Sequence, residues 1–91
     1  MNNYPLIRDF LQTFFEVMHG LPEDFRIEEY ANSASDSGKL DELKEELRLA
    51  FDDSELSWRE MLFNKEYEAG IFASEEEARQ HARRILWDPV M

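Results

Sequence analysis

The sequence has no cysteine in its 91 residues, so it has no disulfide framework, no thiolate nucleophile and no cysteine-held metal. Bases are also in short supply. Ten Lys and Arg face 21 Asp and Glu, and the formal net charge is −11. A surface of that sign repels phosphate backbones and anionic membranes, so nucleic acid and membrane are poor partners and a basic protein is a good one. No apolar run approaches the ~18 residues of a membrane span, and no basic-then-apolar leader opens the chain. The expectation from these absences is a cytoplasmic protein. Period-two alternation of β-branched residues is missing, which argues against a sheet. The three glycines are isolated, so no phosphate-cradling loop is present and no cofactor is expected.

What is present suits a single folded domain. Hydrophobic residues make up 43% and aromatics 13%, too many for a disordered acidic tail. A chain of this size buries about 60–65% of its unfolded surface, enough for a modest core. The organising stretch is Tyr4 to His19. Leu6, Ile7, Phe10, Leu11, Phe14, Phe15, Val17 and Met18 fill one half of a helical wheel, and Arg8, Asp9, Gln12, Thr13, Glu16 and His19 the other. Pro5 suits the first turn, and Gly20 reads as the stop.

Four further helices follow from spacing and caps. The second runs from Glu23 to Ala34, with Phe25, Ile27, Tyr30 and Ala34 as its inner positions. The polar run Asn32 to Gly38 reads as a turn, with Asp36 or Ser37 capping the third helix. That helix, Lys39 to Phe51, repeats Leu40, Leu43, Leu47, Ala50 and Phe51 at helical steps, with Asp41–Lys44 and Glu45–Arg48 as pairs on its outer face. Ser54 or Ser57 opens the fourth, which carries Trp58, Met61, Leu62, Phe63 and Tyr67 and ends at Gly70. Ser57 with Glu60 and Ser74 with Glu77 have the spacing of capping boxes. The last helix runs from Ser74 to Leu86 or Trp87, acids first and arginines last, as its dipole prefers. The prediction is one all-α domain of about five short helices.

The negative charge is uneven. Between Leu21 and Leu56 there are twelve acids and four bases, on the second and third helices and the Asp-Asp-Ser-Glu turn. Glu42, Glu45, Glu46, Asp52 and Asp53, then Glu23, Asp24 and Glu28, are the candidate contacts for a basic partner. A solvated helix surface that keeps the domain soluble is the competing reading. Asp52, Asp53 and Glu55 lack the glycine and spacing of a calcium loop, and no carboxylate pair is singled out for hydrolytic chemistry. His19 and His81 have no second histidine at metal-ligand spacing. Serines 54, 57 and 74 read as caps, Trp58 as core, and Trp87 as either core or interface anchor.

The run Tyr4-Pro5-Leu6-Ile7-Arg8-Asp9-Phe10-Leu11, followed by Phe14-Phe15, resembles the start of a family of small acidic bacterial immunity proteins of contact-dependent growth inhibition systems. Leu40-Asp41-Glu42-Leu43 with Glu46-Leu47 is similar to a Leu/Glu-rich helix those proteins carry further on. The chain departs from the pattern at Glu16 to Gly20, and from Ser57 onward it is similar only in being helical. The resemblance implies a non-enzymatic role: binding and neutralising a cognate toxin domain, often a basic nuclease, in the cytoplasm. The alternative is an acidic helical adapter that holds a basic partner without inhibiting it.

Overall fold

The first apolar stripe folds as α1, Pro5–Phe14, and turns Ile7, Phe10 and Leu11 inward. In the computed structural model, which describes residues 4–16 and 20–91, it is followed by α2 (Glu23–Asp36), α3 (Leu40–Asp52), α4 (Trp58–Leu62) and α5 (Glu75–Ala82). The last helix widens into a π-helical turn, Arg83–Trp87. The described residues are all-α, five helices without a strand; a single bridge pairs Phe63 with Glu68.

α1 packs across α2 and α3, while α4 packs on α5. Between them lies one cluster in which Leu11, Tyr30, Leu43, Leu47, Met61 and Leu86 are fully buried. The Tyr30 ring meets Phe10 and Phe15 edge-on, with centroids 5.3 and 5.4 Å away. Its hydroxyl donates to the Leu86 carbonyl at 2.8 Å, tying α2 to the π turn. In that turn the Asp88 N–H reaches back five residues to the Arg83 carbonyl, and beyond it the Val90 and Met91 N–H groups both donate to Trp87, which leaves the Leu86 oxygen at the helix end for a side-chain donor. Burial raises the Tyr30 hydroxyl pKa far above its ordinary value.

Several boundaries differ from those the spacing predicts, each for a local reason. α1 stops at Phe14 instead of running to His19. Phe15 caps it and turns its ring into the core, while the Arg26 guanidinium donates to the Phe15 carbonyl at 3.3 Å. Val17, Met18 and His19 lie outside the described residues. α2 continues through the polar run to Asp36, because Ala34 is buried and rewards another turn; Gly38, at φ +77°, makes the actual break. Ser37 accepts from the Lys39 N–H at 3.2 Å but is not the cap of α3. Phe25, predicted to face inward, is 40% exposed.

The fourth helix is the largest correction. It ends at Leu62, not near Gly70, and Phe63 points outward. Asn64 explains the stop: its amide donates to the Glu60 carbonyl, and its side-chain oxygen accepts from the N–H groups of Glu66 and Tyr67. Such local bonds replace the helical ladder. Tyr67 still reaches the core, from the loop.

Candidate functional site

The acids chosen from the sequence occupy different environments. Glu46 is half-buried on α3 and accepts from the Ile7 N–H at 2.9 Å, so it caps α1 from a separate helix. Burial raises its pKa, against the lowering effect of the Ile7 and Leu6 N–H groups. Asp53 is also engaged. One of its oxygens accepts from the Tyr4 hydroxyl at 2.8 Å and the other from the Glu55 N–H at 3.0 Å. Tyr4, the N-cap of α1, has φ 60°, a left-handed backbone that costs a non-glycine residue about 1 kcal/mol or more. The Asp53 bond helps hold it there.

Glu23 pairs with Arg84 of the π turn, and that hydrogen bond is the main reason its pKa falls. Glu45 pairs with Arg48 at 2.8 Å on the exposed face of α3. Glu42, Asp24 and Glu28 are exposed, on α3 and α2. Asp52 ends α3 and is exposed as well.

These acids therefore differ in engagement: Glu46, Asp53, Glu23 and Glu45 have partners within the fold, and Glu42, Asp24, Glu28 and Asp52 are exposed. Several acids line grooves around the 52–57 turn. A groove of about 330 Å³ between that turn and the start of α5 is lined by Asp52, Asp53, Glu75, Glu76 and Arg79 over Phe51, Leu56 and Trp58. On the other side of the turn, Asp53, Glu55 and Glu60 line a second groove with Arg8 and Ser57. On the far side of Asp52 and Phe51, a third opens beside Arg48, Leu49 and Trp87. Of the sequence candidates, Asp52 and Asp53 belong here. Glu60, Glu75 and Glu76 do too, and the charge count missed them because they lie in the less acidic stretch from Ser57 to Met91.

Glu75 has a position much like that of Glu46. Its carboxylate accepts from the Ser57 hydroxyl at 2.6 Å and from the Arg59 N–H at 3.2 Å, so it caps α4 across an 18-residue separation. The Ser57 bond is the chief cause of its lowered pKa. Ser57 and Ser74 act as the caps their spacing predicts, accepting from the N–H groups of Glu60 and Glu77, each at 3.2 Å. Three ion pairs are seen among the described residues, Arg48–Glu45, Arg83–Asp88 and Arg84–Glu23; none involves Asp52, Glu75 or Glu76.

Trp58 is core, 3% exposed, with its ring 4.5 Å from Phe51. Trp87 is half-buried and meets Phe51 edge-on at 5.3 Å. His81 stacks on Phe72 at 4.8 Å, with Arg84 3.0 Å from its Nδ1. Burial, and then Arg84, lower its pKa. Among the described residues no group of three or more His, Asp or Glu is arranged to hold a metal ion, and no helix is long and apolar enough to cross a membrane. Compared with protein-family models, curated proteins and solved structures, the chain matches none.

Proposed function

We propose that this chain is a binding protein that captures a basic protein partner, and that it acts as an immunity protein of a contact-dependent growth inhibition system by neutralising one cognate toxin domain in the cytoplasm. The observation that carries this reading is uncompensated negative charge. A net −11 is spread over a small helical domain, and among the described residues ion pairs are seen for Glu23, Glu45 and Asp88. Electrostatic attraction from such a surface speeds encounter with a basic protein and slows as salt screens it. A nuclease suits the role, since its own active site must be basic to hold phosphates. The similarity of Tyr4 to Phe15 to immunity proteins supplies the narrower assignment. In this reading the chain inhibits by occupying or covering the toxin and performs no catalysis.

The test is co-expression with the toxin domain encoded by the adjacent upstream gene. Cells survive only when this chain is present, and the two proteins co-purify. Equal killing with and without it would refute the assignment. A second reading, an acidic adapter, draws on the exposed Phe63 and Ile71, the latter 73% accessible, which offer apolar contact on the 63–72 loop. An adapter would co-purify with the basic partner and leave its activity intact.

A further inference from the structure

The grooves on either side of Asp52 share more than that acid. Phe51 lines both, and with Trp58 and Trp87 it forms an aromatic floor. Leu49, 56% exposed, extends the apolar part at one end. Glu76 stands exposed on the opposite wall, at the start of α5. The fold's own arginines already rest on parts of this floor, and Arg48 and Arg79 line the grooves beside the acids. The Arg79 guanidinium lies 5.3 Å from the Phe51 centroid and donates to the Phe51 carbonyl at 3.3 Å. Arg83 lies 5.8 Å from the Trp87 ring. Both arginines rest against rings, and neither forms an ion pair with Asp52, Glu75 or Glu76.

We propose that this continuous surface, Leu49, Phe51, Asp52, Glu76 and Trp87, is the docking site for an exposed arginine-bearing segment of a basic protein. The proposal rests on the reading above that the chain captures a basic protein, and it adds the place and the side-chain chemistry. Charge complementarity selects the occupant. Arginine is more weakly hydrated than lysine, stacks on aromatic faces and bonds a carboxylate through a planar fork, so it uses both the floor and the rim. A phosphate-bearing ligand is repelled by the rim, and a second copy of the chain brings its own −11 charge.

The direct experiment titrates the isotopically labelled full chain with an arginine–glycine repeat peptide at low salt, followed by amide and indole NMR shifts. Shifts concentrate on residues 49–58 and 75–79 and on the Trp87 indole. The double substitution Asp52→Asn with Glu76→Gln weakens binding about threefold to tenfold, as removal of exposed complementary charges does. The control pair Glu28→Gln with Glu42→Gln changes it by less than about twofold. The matching lysine–glycine peptide binds more weakly. Glu76→Lys, at an exposed first-turn position, is a second probe should the double variant fold poorly, and it weakens binding further.

Shifts spread evenly over α2 and α3, an equal loss in the control pair, or equal affinity for the lysine peptide would each overturn the proposal. Concentration-dependent self-association through the same residues would overturn it in favour of a second copy. An inhibition constant for the double variant equal to the parent's would overturn this surface and leave the immunity reading standing. Peptide binding as described, without protection by the parent chain, would support the surface while the immunity reading fails.

Discussion

Two carboxylates do the same work in two regions of the molecule and are tuned in opposite directions. Glu46 reaches from α3 to the first N–H groups of α1, beside the core, and burial raises its pKa. Glu75 reaches from α5 to the start of α4, in the open, and the Ser57 hydroxyl lowers its pKa. Both supply the acceptor that a helix N-terminus lacks. The contrast shows that the sign of a carboxylate's effect on stability is set by solvent access and donors, not by its place in an acidic run.

The largest effect is expected at the core. Leu47 neighbours Glu46 on α3 and is fully buried. Leu47→Ala costs about 2–5 kcal/mol in chemical denaturation, more than the loss of either cap. A smaller cost than Glu46→Ala would mean that the cap, not packing, seats α3. Next come the caps themselves. Glu46→Ala destabilises by about 1 kcal/mol, the usual value of a lost N-terminal acceptor. Glu46→Gln keeps an acceptor without burying charge, and matches or exceeds the parent near neutral pH.

The pH dependence sharpens the comparison further. Glu46 has a folded pKa above its ordinary 4.5, so its charge costs stability at neutral pH and the cost disappears as pH falls through the raised value. Any advantage of Glu46→Gln therefore vanishes on acidification. Glu75 and Glu23 have folded values below 4.5; their contribution is present above that pH and is lost as pH falls through the lowered values. Glu75→Gln is accordingly less stable than the parent at neutral pH, and the gap closes in acid. Denaturant midpoints measured from neutral pH to below 4 check both signs. The smallest effect belongs to the exposed groove acids: Asp52→Asn with Glu76→Gln changes stability by less than about 0.5 kcal/mol.

How much of this was legible in the sequence depended on distance along the chain. The apolar stripe of α1, the leucine repeat of α3 and the serine caps at 57 and 74 are local patterns, and they predict the all-α architecture and most helix starts. Helix ends were harder. Asn64 ends α4 through side-chain bonds that periodicity does not register, and Phe63 and Tyr67 kept the helical spacing apparently intact. Small polar residues from Asn32 to Asp36 resemble a loop, yet burial of Ala34 carries the helix through them.

The candidate site was less legible still. Charge density favoured α2 and α3, but Glu46 and Asp53 are tied to α1 and its cap by contacts spanning 39 and 49 residues. Glu75 and Glu76 read as ordinary first-turn acids, and only the packing of α4 on α5 sets them opposite Asp52. The three-acid run opening α5 was the available signal, and nothing local said what it would face.

The most direct measurement is a titration of the toxin domain that the proposed function requires, following its activity with the parent chain, Glu46→Gln, and Asp52→Asn with Glu76→Gln. The expected result is an equal inhibition constant for the parent and Glu46→Gln, and one about threefold to tenfold weaker for the double variant at low salt. No inhibition by the parent would contradict the proposed function. A double variant as potent as the parent would contradict the division between acids that build the fold and acids that meet the partner.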